Sequence, residues 1–253
     1  MKRIIKAALL VSALCGIQQA ALAGDTLSVS RTIDPRAVNV NLDGVISLKV
    51  KQGPAALTLY GNQEDLDRVI VEQNGESLHI GTKNFKGIHF GSHELRAELT
   101  LPNLKEMISN GVGSTEVTGF SGDMLRISLD GAGAIKVKSQ YKNVKVRLGG
   151  VGAMNLDVNN SESVDLNLSG AGHMEVTGRS KNMHANLGGV GSLDAKQLQA
   201  EMIDVDMSGL GSASVFASST AKLNLSGLGS ATVYGKPANR TAYAHGLGSI
   251  SWQ

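Results

Sequence analysis

The sequence predicts an all-β protein: a parallel β-solenoid of about eight coils of 18–20 residues, preceded by a strand-rich N-terminal portion. The first ground is a recurring triplet. Gly-x-Gly stands at Gly111 and Gly113, Gly131 and Gly133, Gly150 and Gly152, Gly170 and Gly172, Gly189 and Gly191, Gly209 and Gly211, Gly227 and Gly229, and Gly246 and Gly248. Successive first glycines are 20, 19, 20, 19, 20, 18 and 19 residues apart. A fixed period of this kind marks a stack of similar units. The second ground is the alternation after each triplet. Thr115, Ile135, Met154, Met174, Leu193, Ala213, Ala231 and Ile250 lie four after the first glycine. Val117, Val137, Leu156, Val176, Ala195, Val215, Val233 and Trp252 lie six after it, with polar residues between. The third is the same alternation before each triplet, where Leu129, Leu148, Leu168, Leu187, Met207, Leu225 and Ala244 sit two before the glycine. Both patterns mark strands with one buried face.

Two such strands cannot bury their apolar faces within one unit. Stacked in parallel at ~4.8 Å, the units bury those faces as a column and pair their inner backbone edges. Glycine suits the corner because it accepts positive φ and leaves room where a Cβ would meet the next coil. The middle residue of the triplet is apolar in every copy, so it is expected to point inward. Residue volumes trade in the same sense: Ala132 and Ala171 go with Ile135 and Met174, whereas Leu210 and Leu228 go with Ala213 and Ala231. Trp252 is expected to plug the open end of the column.

Residues 24–110 lack the triplet but keep the strand pattern. Val38, Val40 and Leu42 alternate up to a turn at Asp43-Gly44, and Ile46, Leu48 and Val50 alternate after it. Leu57 and Leu59 lead to Gly61, and Asn62 to Arg68 fit one short helical turn. Val69 to Gln73 and Leu78 to Ile80 flank Asn74-Gly75, a hairpin signal. Thr82 to His93 read as an irregular loop. Leu95, Ala97, Leu99 and Leu101 form another half-buried strand, stopped by Pro102. Met107 starts the repeat register with Ser109 in an inward slot. No linker separates the two parts, so residues 24–253 are expected to form a single domain, with irregular coils over 24–110 and regular ones over 111–253.

Residues 1–23 read as a secretory signal peptide. Lys2, Arg3 and Lys6 form the basic start, Ala7 to Ile17 a short apolar run, and Ala21-Leu22-Ala23 a small-x-small cleavage site. The run is too short for a membrane span, and no second apolar stretch follows. Cleavage removes three of the 24 basic residues and none of the 22 acidic ones, leaving a charge near −1. That balance gives no argument for nucleic acid. A lipoprotein signal wants a small residue before its cysteine. Leu14 is not small, so Cys15 is expected to leave with the signal. The mature chain then has no thiol for disulfides or metal.

No cofactor is expected. A phosphate loop needs a strand-to-helix context, and these corners join strand to strand. Calcium-binding nonapeptides need an aspartate where Met154 and Leu193 stand. His79, His89 and His93 are read as exposed loop residues, and His173 and His245 as surface residues at the corners. Outward acids occur in rows (Glu116, Glu175, Asp194; Asp165, Asp204), but Lys136, His184 and Lys222 interrupt them. Such rows are ordinary mixed-charge faces, so the chain is expected not to be an enzyme. Two patches are candidate ligand sites. Phe216 and Tyr234 fall seven after their first glycines in adjacent coils, so they stack on the outer surface, where aromatics can hold a sugar or a protein. Arg126, Lys136, Lys138, Lys142, Lys145 and Arg147 form a basic patch, suited to an acidic polysaccharide.

The Gly-Asn-x-x-x-Leu segment (Gly61 to Leu66), the Asn-Gly hairpin, the Leu-Pro-x-Leu segment (Leu101 to Leu104) and the repeated Gly-x-Gly-[Ser/Ala] together resemble the auto-transporter adhesin head GIN domain family, a domain of unknown function. The resemblance covers about Val29 to Gln253. It implies a right-handed parallel β-helix similar to pectin-lyase-like folds and an adhesive role at the bacterial envelope. It offers no catalytic residues. The expected protein is an exported, non-catalytic binding module of the periplasm, outer-membrane surface or extracellular space, with a glycan or an envelope protein as partner. The alternatives are a structural, envelope-maintaining protein and a polysaccharide-active enzyme.

Overall fold

A computed structural model describes residues 27–83, 95–245 and 247–253. The expected signal peptide, His89, His93 and the corner glycine Gly246 lie outside the described residues. The short N-terminal elements are β1 (Leu27–Arg31), β2 (Asn39–Leu42), β3 (Ser47–Gln52), β4 (Ala56–Gly61), α1 (Gln63–Arg68), β5 (Val69–Asn74), β6 (Ser77–Thr82), β7 (Arg96–Leu101) and β8 (Glu106–Ser109). The long strands are β9 (Val112–Leu129), β10 (Ala132–Leu148), β11 (Val151–Leu168), β12 (Ala171–Leu187), β13 (Val190–Met207) and β14 (Leu210–Leu225). β15 (Leu228–Tyr234), β16 (Asn239–Ala244) and β17 (Ser249–Trp252) follow.

The fold is the expected right-handed parallel β-solenoid. Each regular coil is one strand of 16–18 residues running from one Gly-x-Gly corner to the next. Neighbouring coils pair in parallel and in register: Ile135 lies beside Thr115 and Met154, and Leu148 beside Leu129 and Leu168. The register slips only at the variable turn, as between Lys138 and Asn143. Differences in coil length are absorbed there, and the two flanking segments stay aligned. Inside, Val137, Leu156, Val176, Ala195 and Val215 form one buried wall, and Leu129, Leu148, Leu168, Leu187, Met207 and Leu225 another. Each fully buried Leu stabilises the column by about 1.5–3 kcal/mol. Trp252 stacks in register on Val233 and packs half-buried against the core, with the Arg240 guanidinium 5.0 Å from its ring centroid.

The N-terminal coils are stacked out of chain order. β8 and β9 lie in parallel on β2 and β3, which lie in parallel on β6 and β7. β4 then pairs antiparallel with β7, β1 with β4, and β5 with β6. α1 begins where the sequence implies: Asn62 Oδ1 accepts from Asp65 N at 2.7 Å, and Leu66 is buried. The Asn74-Gly75 signal is the expected hairpin, with Gly75 at φ +59°.

The Asp43-Gly44 turn is an additional corner. Val112 N donates to Gly44 O at 2.7 Å, and Val45 bridges Val112 in parallel. Val40, Leu42, Leu48 and Val50 are buried at the same offsets as in the regular coils. Only the second glycine differs, its place being taken by Ile46.

One expectation is overturned. The middle residues of the corners point outward, not into the core: Val112, Val151, Val190, Leu210 and Leu228 are 46–60 % exposed. The reason is parity. The strand alternation continues through the corner unbroken, so the even offsets, including both glycines, belong to the inner set and the middle residue to the outer one. The volume trade with Ile135, Met174, Ala213 and Ala231 therefore has no shared space behind it.

The corners hold the backbones of successive coils against one another. A Cβ at Gly152, which has φ +152°, would sit 1.8 Å from the Gly133 carbonyl oxygen. At Gly188 the nearest atom would be 3.7 Å away. Gly152→Ala is therefore expected to destabilise the fold by about 3 kcal/mol or more, and Gly188→Ala by under about 1 kcal/mol, in urea unfolding followed by circular dichroism.

Tyr141 ties the regular coils to the N-terminal portion. It is buried at the variable turn, and its hydroxyl donates to Leu104 O at 2.5 Å. Burial pushes its phenol pKa up to about 12. An unfolded tyrosine ionises near 10, so between these values the unfolded chain gives up its proton more readily. Stability is full below about pH 10 and falls as pH rises towards 12, by about 2–3 kcal/mol. Tyr141→Phe should flatten this alkaline limb in pH-dependent melts, while costing about 1–2 kcal/mol at neutral pH for the orphaned carbonyl.

Candidate functional site

Outward residues form ladders because the register is kept from coil to coil. On the face before the corner, one ladder reads Glu106, Arg126, Lys145, Asp165, His184, Asp204 and Lys222. The ladder beside it reads Ile108, Ser128, Arg147, Asn167, Asn186, Asp206 and Asn224. Across both runs a depression of about 490 Å³, with Arg126, Lys145, Arg147, Asp165, Asn167 and His184 among its lining residues.

The basic patch expected from the sequence is divided. Arg126, Lys145 and Arg147 line this groove, whereas Lys136 and Lys138 stand after the corner, outside it. Sequence proximity grouped them, but the corner turns the chain between them. Most of these cations also face an acid on a neighbouring coil. Arg147 Nε is 3.4 Å from Asp130 Oδ1, Lys145 Nζ 3.5 Å from Asp165 Oδ2, and Lys138 Nζ 3.9 Å from Asp157 Oδ2. Lys142 donates to Asp123 at 2.7 Å, which holds that carboxyl below its usual range. Such exposed pairs contribute little to stability; they do lower the net field of the groove. Among the described residues, no carboxylate lies within 4.0 Å of Arg126 or Lys136.

One lining residue of the groove has a buried acceptor without a donor. Asn167 Oδ1 is inaccessible to solvent and has no hydrogen-bond partner among the described residues. It lies between Arg147 and Asn186 in its ladder. Asn167 and Asn186 were visible in the sequence only as polar residues between apolar ones; their recurrence three before a first glycine was the usable signal.

Phe216 and Tyr234 pair in register, as their spacing predicts. Both are half-buried, and a Cβ on Gly235 would lie 2.7 Å from the Phe216 ring, so backbone covers that ring's edge. The aromatic pair is a partly covered cross-strand contact with one open side.

For metal, the described residues offer His184, Asp204 and Asp206, whose ligand atoms lie within 4.8 Å of one another. Lys222 Nζ already lies 3.2 Å from Asp204 Oδ2, and Asn224 Nδ2 donates to Asp206 Oδ1 at 3.2 Å. His79 is bound to Asp43 across 2.7 Å, and His173 to Ser192 across 2.8 Å. These contacts give the histidines structural partners on the surface.

The family model described as "Putative auto-transporter adhesin, head GIN domain" matches residues 38–237. Among solved structures, a "putative adhesin" from Parabacteroides distasonis is 20% identical with a TM-score of 0.82, over 91% of this chain and 98% of that one. A "putative adhesin" from Parabacteroides merdae is 19% identical with a TM-score of 0.76, over 91% and 97%. A "Putative lipid binding protein" from Parabacteroides distasonis is 20% identical with a TM-score of 0.73, over 91% and 98%. At these identities the likeness is one of fold. Comparison with curated proteins finds no match.

Proposed function

The chain belongs to the head GIN domain family, and on that footing we propose that it is an exported, non-catalytic binding module that holds a glycan in the groove before the corner. The observation that carries the ligand class is the alternation of donors and acceptors that the two ladders present to the depression. Arg147, Lys145 and Asn186 offer donors there, and Asp130 and Asp165 offer acceptors. Alternating donors and acceptors on a rigid sheet suit a polyhydroxylated chain laid across the coils. Because its cations are largely paired, the groove selects for hydroxyls more than for charge.

The non-catalytic reading rests on the same pairing. Glycoside cleavage needs one carboxyl set up as an acid and a second as base or nucleophile. Asp130 and Asp165 are each engaged by a cation across the coil, so each already holds a structural partner on the sheet. Export is supported by the basic-apolar-small pattern of residues 1–23. Among the described residues no helix is long and apolar enough to cross a membrane.

The test is a panel of bacterial-envelope and host-surface glycans probed with the purified chain. Arg147→Ala and Asn167→Ala are each expected to weaken binding about tenfold or more, a loss of about 1.4 kcal/mol. Phe216→Ser with Tyr234→Ser should leave groove binding unchanged; if that pair alone abolishes it, the aromatics are the site. No new reducing ends should appear on prolonged incubation; their appearance would make the protein an enzyme. Cell fractionation decides between periplasm and surface.

A further inference from the structure

The outward middle residues of the corners form a continuous apolar row. Val45, Val112, Ala132, Val151, Ala171, Val190, Leu210 and Leu228 are partners in register from coil to coil. At ~4.8 Å per coil the row is roughly 34 Å long. Leu247, one beat further on, is 86% exposed. The other outward rows are largely polar. In this one every residue is aliphatic, and most of its valines and leucines are about half exposed. The core does not explain that choice, since none of these side chains enters it. Contiguous exposed apolar surface of this kind marks an interaction site.

The neighbouring rows narrow the partner. Three residues after the first glycine stand Ser114, Ala134, Ala153, His173, Ser192 and Ser212; one before it stand Asn110, Asp130, Gly149, Ser169, Gly188 and Ser208. Neither flanking row carries a lysine or arginine over these coils, and the one guanidinium that reaches a flank, Arg147 over Gly149, is paired with Asp130, so the row lacks the basic rim that anionic lipid or nucleic acid requires. An aliphatic centre with flanks that are small and neutral apart from Asp130 and His173 is the composition of a protein–protein interface core. The sizes within the row select the protein. From Val112 to Val190 they alternate Val, Ala, Val, Ala, Val, which is a knob and a hole every second coil. Two such rows, placed antiparallel, seat the central valines of one against the alanines of the other. A two-fold axis between Val151 and Ala171 does this: Val151 meets the second copy's Ala171 and Val190 its Ala132, while Val112 meets Leu210 and Val45 meets Leu228, so the whole row is in contact. The contact is isologous and closed.

We infer that this row is a homodimer interface, in which a second copy of the chain docks antiparallel, corner row against corner row. A strip roughly 34 Å long and three rows wide buries on the order of 1,000 Å² in total, the lower bound for a specific interface. The dimer is therefore expected to be concentration-dependent.

Sedimentation velocity on the purified chain over a wide concentration range tests this. Wild type should shift from monomer to dimer within about the micromolar range. Val151→Asp should weaken the dimer at least about tenfold, and Val151→Asp with Val190→Asp should abolish it. Thermal melts of the variants separate loss of association from loss of fold, since half-exposed positions tolerate the change. Phe216→Ser should leave association unchanged. A wild type that stays monomeric throughout, or a dimer indifferent to both aspartates, overturns the inference. So does a monomer whose row instead captures zwitterionic lipid vesicles.

Discussion

The spacing between coils is the constraint on which this structure depends. Parallel pairing sets neighbouring coils ~4.8 Å apart, and at each corner the chain must bend while keeping that distance. The inner-parity positions of the corner then face the carbonyl oxygens of the coil below. At Gly152 even one carbon atom would overlap the Gly133 oxygen. Glycine is therefore placed at the corner by backbone contact, and the period of the sequence follows from the period of that contact. The core tolerates variation in size from coil to coil, such as Leu, Met and Ala along one wall; the corner does not.

With the corner fixed, every other position inherits a row. A residue's offset from the nearest first glycine decides whether it is buried and which residues it touches above and below. This is why charges here neutralise one another across coils more than along a strand: Arg147 with Asp130 and Lys145 with Asp165 are neighbours in the stack. It is also why a groove can form without a loop or a domain boundary. Two adjacent ladders of long and short side chains leave a depression, with Asn167 among the residues that line it.

What was legible in the sequence was whatever depended on offset alone. The buried walls, the in-register Phe216 and Tyr234, and the inward Ser109 all follow from counting. The outward turn of the middle residues was equally countable. It was misread because apolar character was taken as burial in place of parity. The corner at Asp43-Gly44 kept the full set of offsets, but Ile46 stands where the second glycine would be, and the insertion of β4 to β7 separates it from the next corner. The stacking of β6 and β7 beneath β2 and β3 is pairing between distant segments, and no local pattern encodes it. The basic patch was drawn by proximity along the chain, which joins residues on opposite sides of a corner.

The two surfaces described are neighbours without being one site. The apolar row stands one residue after the first glycine, and the groove begins with Asp130, one before it. A second copy seated on the row would therefore leave the groove ladders, three and five before the glycine, open on both chains. Grooves that bind single glycan segments weakly gain from such an arrangement. Two grooves held at a fixed separation engage a repeating polymer with an effective concentration set by the geometry, so avidity rises without a new contact. A solenoid is suited to this division because each row is independent of the next: substitutions in the apolar row leave the groove ladders in register, and substitutions in the ladders leave the row intact.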